Sequence, residues 1–162
     1  MQRHLLYLPF ALQIFGVMAI SMIVPSLYAL VTEQFFEARM FFYTGLLGVT
    51  FLALIGLARS NQTTRETALD QMLSLALLFV FLPVFLAIPG YSVIRTTSFL
   101  NAYLDMVSAL TTTGFEVFPA SRLSDSVHLW RALVGWMGGA LIWVAAVAIL
   151  APLNLGGFEL TA

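Results

Sequence analysis

Ser108-Ala109-Leu110-Thr111-Thr112-Thr113-Gly114-Phe115-Glu116 is the stretch on which the reading of this chain turns. Three hydroxyl side chains and a glycine interrupt a very apolar sequence. The segment in front, Thr97 to Leu110, has helical character: Phe99, Tyr103, Met106 and Leu110 recur at the spacing of one apolar helix face. Thr97 or Ser98 is placed to cap its start. Such a helix is too short to cross a bilayer, which takes about 20 residues. Taken alone, Thr-Thr-Thr-Gly reads as a polar turn between two helices. A half-length helix before it and a full-length apolar run on each side shift the reading to a re-entrant loop.

The apolar context is general. Hydrophobic residues make up 60% of the chain and charged residues 9%, with a mean hydropathy of +0.95. Soluble domains carry about 25% charged residues, so too few polar groups are present to cover a water-facing surface. The formal net charge of −1 gives no reason to expect nucleic acid as a partner. Cysteine is absent, which excludes disulfides, thiolate metal sites and cysteine nucleophiles. His4 and His128 are isolated from each other and suggest no metal site. No nucleophile–base–acid grouping and no phosphate-cradling glycine loop is present, so the chain is not read as an enzyme.

Outward from the turn, four long apolar runs read as spans. The first, Leu5 to Thr32, follows Gln2-Arg3-His4. It is about twice the length of a signal-peptide core, and Ser26-Leu27-Tyr28-Ala29 is a poor cleavage site. Pro25 is expected to kink it, because proline removes a backbone donor and crowds the preceding turn. The polar connection Thr32 to Arg39 leads to the second run, Met40 to Ala58. Gly45 and Gly48 lie on nearly the same face there, either as a close helix contact or as filler, which membrane helices tolerate. Arg59 to Asp70 is the most polar segment, and Thr63 or Thr64 would cap a helix starting near Arg65. The third span is expected from Gln71 to Ile88, ended by Pro89-Gly90. After the turn, Val117 to Val127, including Ser124-Asp125-Ser126, reads as a polar loop. The last run extends from Ala132 to Phe158, its helix fraying at Pro152 and Gly156-Gly157.

The fold class predicted is therefore an all-α integral membrane protein: a two-helix hairpin over residues 1–62, then one helix–pore-loop–helix repeat over 63–158, with 159–162 opening a linker. Four crossings place both ends on one side. Arginine counting sets Arg3, Arg59 and Arg65 against Arg39, Arg95, Arg122 and Arg131, which does not fix the orientation.

The turn has residue types suited to a dehydrating cation. An alkali ion sheds water only if oxygens replace it, and backbone carbonyls of converging loops do so. Threonine adds hydroxyl acceptors, and glycine permits the backbone angles that aim carbonyls inward. The C-terminal end of the preceding helix carries a partial negative charge of roughly half an electron, which favours a cation. Irregular backbone at membrane depth must be buried in protein or line a watery cavity. Other protein must therefore surround this loop.

The run Ala102-Tyr103-Leu104-Asp105-Met106-Val107-Ser108-Ala109-Leu110-Thr111-Thr112-Thr113-Gly114 resembles the first pore loop of the Trk-type potassium uptake proteins, in the Trk/Ktr/HKT superfamily. Leu129-Trp130-Arg131, Gly135-Trp136-Met137-Gly138-Gly139 and Val144-Ala145-Ala146-Val147-Ala148-Ile149-Leu150 resemble the helix that follows it. The resemblance implies potassium uptake across the cytoplasmic (inner) membrane, with cytoplasmic termini. It implies four repeats around one path, of which this chain holds one, and a homodimer regulated by a cytosolic nucleotide-binding ring. Potassium would be a transported ligand at Thr112 and Thr113, flanked by Thr111 and Gly114, with no covalent cofactor. The remaining three repeats are expected to follow shortly after Ala162. Ala140 stands where the family often has a further glycine, which puts close packing there in question. A non-conducting membrane subunit and a homotetrameric cation channel are the alternatives.

Three charged residues flank the site. Asp105 is either a cation-attracting group or an anchor for the short helix. Intramembrane charges pair, and Arg131 is the nearest partner in sequence, so an Asp105–Arg131 pair supporting the pore is predicted. Glu116 either concentrates cations at the outer mouth or is a solvated carboxylate. Trp130, Trp136 and Tyr91 are expected to serve in packing or at the interface.

Overall fold

The computed structural model describes the backbone of residues 10–58 and 68–150, and side-chain surroundings within 11–58 and 73–147. Its elements are α1 (Phe10–Ser21), α2 (Ile23–Val31), α3 (Phe35–Ala58), α4 (Ala68–Ile94), α5 (Phe99–Leu110) and α6 (Asp125–Leu150), with one 3-10 turn at Ala120–Arg122. No strand occurs among the described residues. Four spans, Ala11–Val31, Phe35–Ala58, Leu73–Ile94 and Asp125–Val147, are long and apolar enough to cross a bilayer; α5 is not. The protein is an all-α membrane protein. The expected boundary at residues 62 and 63, the caps at Thr63 or Thr64, and the fraying at Pro152 and Gly156-Gly157 lie outside the described residues.

Proline accounts for the shape of the first span. Pro25 cannot donate to the carbonyl of Ser21, and the helix breaks at Met22 between α1 and α2. Gly45 and Gly48 let α3 close against α1. A Cβ on Gly45 would lie 2.9 Å from the Ala19 carbonyl oxygen, and one on Gly48 would lie 2.8 Å from the Ala19 Cβ. Of the two readings of these glycines, close helix contact is the one observed.

The third span departs from expectation. α4 runs through Pro83 and Pro89-Gly90 and ends at Ile94, where Arg95 takes a left-handed φ of 52°. The prolines deprive the Phe79 and Phe85 carbonyls of donors, yet the helix persists because neighbouring helices enclose it. Both proline rings are fully buried. The neighbouring helices also donate to the loosened ladder. Tyr103 donates to the Val80 carbonyl (3.1 Å), and Trp130 Nε1 donates to the Leu86 carbonyl (3.1 Å).

The segment read as a polar loop also differs. α6 starts at Asp125, so Asp125 and Ser126 belong to its first turn. An acidic residue there suits the positive end of the helix, and the Ser124 carbonyl accepts the His128 N–H at 2.9 Å.

One apolar core joins α1, α3, α4, α5 and α6. Met18 and Met22 of the first span, Phe41 of α3, Leu82 and Leu86 of α4, Met106 and Leu110 of α5, and Trp130 and Val134 of α6 form a single cluster. Phe41 and Trp130 meet edge to face, with ring centroids 6.0 Å apart. The hairpin and the remainder therefore fold as one packed body.

Three contacts gather the start of α3, the end of α4 and the start of α6 at one end of the molecule. Glu37 accepts hydrogen bonds from Ser124 (2.7 Å) and from Ser126. The Arg95 guanidinium sits 4.4 Å from the Phe36 ring centroid. Arg122 donates to the Thr96 carbonyl (2.5 Å) and hydroxyl (2.6 Å). Thr96 precedes α5 and Arg122 follows the turn, so the chain enters and returns at the same end. α5 descends into the bundle and the chain climbs back beside it.

Candidate functional site: the turn after the short helix

Ser98 caps α5 by accepting the Asn101 N–H at 3.3 Å. The buried face of the helix is Ala102, Asp105, Met106, Ser108 and Leu110. Phe99, expected on that face, is exposed at 38% and meets Tyr91 edge to face instead. Of the expected apolar face, Met106 and Leu110 are buried and Tyr103 is half-buried, so Phe99 alone departs from it.

α6 approaches through glycine. A Cβ on Gly138 would fall far inside van der Waals contact with the carbonyl oxygen of Leu110, the last residue of α5. Gly135 and Gly139 line the same approach more loosely, with Cβ positions 3.7 Å from the Ala109 oxygen and from the Thr112 methyl. Ala140 is exposed and takes no part in this contact.

Charge makes a second tie. Asp105, 3% exposed at its side chain, lies 2.9 Å from Arg131 Nε. The predicted pair is present, and it joins α5 to α6. It is an ion pair more than an aligned hydrogen bond, and Asp105 Oδ1 has no donor among the described residues. Glu116 is exposed, just beyond the turn.

The turn leaves the helix at once. Thr111 still donates its N–H to the Val107 carbonyl (2.9 Å), and its hydroxyl donates to the same oxygen (2.7 Å). A hydroxyl has one proton. At 2.8 Å from Thr111 Oγ1, Thr113 must therefore be the donor of their pair, and its own lone pairs remain free. Thr112 has φ of 55° and Gly114 has φ of 75°, while Thr113 between them stays at negative φ. Thr112 is the left-handed residue that ends α5: its N–H donates to the Ala109 carbonyl (3.1 Å) and the Thr113 N–H to the Ser108 carbonyl (3.0 Å), the Schellman arrangement, with a β-branched residue where glycine is usual. Among the described residues, no donor bonds the carbonyls of Thr111, Thr112, Thr113 or Gly114.

Thr112, Thr113, Gly114, Phe115 and Glu116 are all exposed. Between the turn and the first half of α6 lies an open cleft of about 430 Å³, with Thr112, Gly114, His128 and Arg131 among its walls. His128 Nε2 is 3.0 Å from the Ala120 carbonyl oxygen. No cluster of metal-ligating side chains occurs among the described residues. Trp130 is fully buried packing, whereas Trp136 is exposed at 76% and Tyr91 at 42%. Three residues that organise the site were not singled out from sequence: Ser108, Gly138 and Glu37. Ser108 adjoins the threonines and Gly138 sits among neighbouring glycines, which were the available signals. Glu37 had none beyond being a charge in a short connection.

Comparison with known proteins adds an independent line. The chain is 40% identical over 83 residues to the Trk system potassium uptake protein TrkI of Halomonas elongata, matching 51% of this chain and 16% of that protein. It is 27% identical over 142 residues to the Trk system potassium uptake protein TrkH of Escherichia coli K12, matching 86% of this chain and 29% of that protein. It is 31% identical over 104 residues to a cation transporter of Methanocaldococcus jannaschii, matching 62% and 22% respectively. The chain thus spans less than a third of the length of these relatives. No family model matches the chain. No solved structure matches it.

Proposed function

Because the chain belongs to the Trk/Ktr family of cation transporters, we propose that it supplies one of four filter loops of a potassium uptake pathway. Thr111, Thr112, Thr113 and Gly114 line the path, with ions resting at Thr112 and Thr113. The observation that carries this reading is the set of consecutive carbonyls left without donors on a re-entrant turn. At membrane depth such groups need partners, and a partly dehydrated cation is one. Positive φ at alternate residues supports it further.

One loop supplies about a quarter of the oxygens an ion needs, in the four-loop geometry. The far greater length of the relatives supports companion repeats in the same full-length chain. In this reading Asp105 and Arg131 hold the short helix, and Glu116 stands at the outer mouth. The protein sits in the cytoplasmic membrane with its N-terminus inside. It works as a homodimer under a cytosolic nucleotide-binding ring.

Rubidium uptake by potassium-starved cells expressing the full-length protein tests this. Uptake is expected, and Gly114→Ser should change the preference among cations, since serine is strained at positive φ. Assembly in the membrane without any uptake would favour a non-conducting subunit. A particle mass of four copies of this short chain would favour a homotetrameric channel.

A further inference from the structure

Ser108 holds both flanks of Gly114. Its carbonyl accepts the Thr113 N–H at 3.0 Å. Its hydroxyl donates to the Phe115 carbonyl at 2.8 Å. Gly114 lies between these two anchors, and apart from its chain neighbours no atom lies within 4 Å of where a Cβ would be. It is the least restrained point of the turn, and the one with the widest choice of backbone angles.

The second bond also sets a limit. The carbonyls of Thr111 to Gly114 have no donor among the described residues, and the Phe115 carbonyl is the first that does. Ser108 is itself 6% exposed, so water does not compete freely for its hydroxyl. Its place on α5 is fixed by the tie one turn earlier, where Asp105 meets Arg131.

We propose that Ser108 is a positioning residue that determines cation specificity. Its hydroxyl keeps the Phe115 carbonyl out of the ion path and fixes the span across Gly114. The residue touches no ion and acts through Phe115 and Gly114. This inference rests on the transport reading above.

The physical consequence concerns discrimination more than rate. A site made of carbonyls selects by the number and field of its oxygens. Freeing the Phe115 carbonyl loosens Gly114 and adds a mobile oxygen at the outer end. Sites that adapt to the ion discriminate less between sizes.

The test uses the full-length protein in potassium-starved cells, with Ser108→Ala and Ser108→Thr. Rubidium uptake is measured against competing sodium, and the membrane-embedded protein is quantified in parallel. Ser108→Ala is expected to lower rubidium-over-sodium discrimination about fivefold, the size one hydrogen bond supports. Ser108→Thr, which keeps the hydroxyl, should retain discrimination. Wild-type discrimination in Ser108→Ala overturns the proposal. If Ser108→Ala yields no protein, Ser108→Gly, which also removes the donor, is read by the same criterion. No uptake by the unaltered full-length protein would instead remove the transport reading, and this inference with it.

Discussion

Gly138 is the residue whose side chain is most tightly excluded. Its Cβ would meet main chain, the Leu110 carbonyl, which cannot swing aside as a flexible side chain does. Gly138→Ala is therefore expected to push α6 from α5 and to destabilise by about 1–3 kcal/mol, the usual range for overpacking. Gly135→Ala, which meets only ordinary contact at 3.7 Å, is expected to be tolerated. Thermal unfolding of the detergent-solubilised full-length protein checks both, and equal stability of the two variants would contradict the packing described. From sequence, Gly135, Gly138 and Gly139 were three similar small residues. Only the position of the Leu110 carbonyl ranks them.

At the scale of elements, two polar ties hold the helices in register. Asp105 and Arg131 join α5 to α6 deep in the structure. Removing one member leaves the other charge buried and unpaired, a loss of about 3–5 kcal/mol. Either Asp105→Asn or Arg131→Gln is expected to reduce membrane-embedded protein or transport. Exchanging the two charges in one variant should recover part of it, and lack of any recovery would count against the pairing. Glu37 ties the first turn of α3 to the start of α6 through Ser124 and Ser126. Its carboxylate also faces the positive end of that helix. Glu37→Gln is expected to cost about 1.5–3 kcal/mol, the range for hydrogen bonds to a charged group. Faster proteolysis near residues 119–124 than in the unaltered protein would report it. The first tie was legible in sequence because an intramembrane charge needs a partner and Arg131 was the nearest. The second was not, since 87 residues separate Glu37 from Ser124.

For the whole molecule, the descending α5, the turn at Thr111 to Gly114 and the return to Thr96 form a re-entrant unit. Its exposed tip carries the unpaired carbonyls. The remaining exposed apolar surface is large, with Trp136, Trp143 and Val147 on α6 and Phe42, Leu46 and Leu54 on α3 all open. In a bilayer, lipid covers such side chains without loss, but it cannot satisfy the carbonyls. The full-length protein is therefore expected to protect the turn with companion loops. Replacing Thr113 by cysteine in that protein should give a thiol reactive to small hydrophilic reagents from one side of the membrane and slowed by potassium or rubidium. Indifference of the reaction rate to these ions would contradict a cation site at Thr113.

Sequence by itself determined the solvent of this protein and the count of its spans, because charge scarcity and run length act locally and add along the chain. It also marked α5 as too short to cross, and it placed the hydroxyl-rich turn at its end. Tertiary structure alone decided that α4 continues through Pro83 and Pro89, because Tyr103 and Trp130 from other helices reach its loosened ladder. It alone decided which glycine of α6 is most tightly packed, and that Ser108 clasps both sides of Gly114. Those outcomes depend on which surfaces meet at contact distance, and a one-dimensional pattern does not encode that separation.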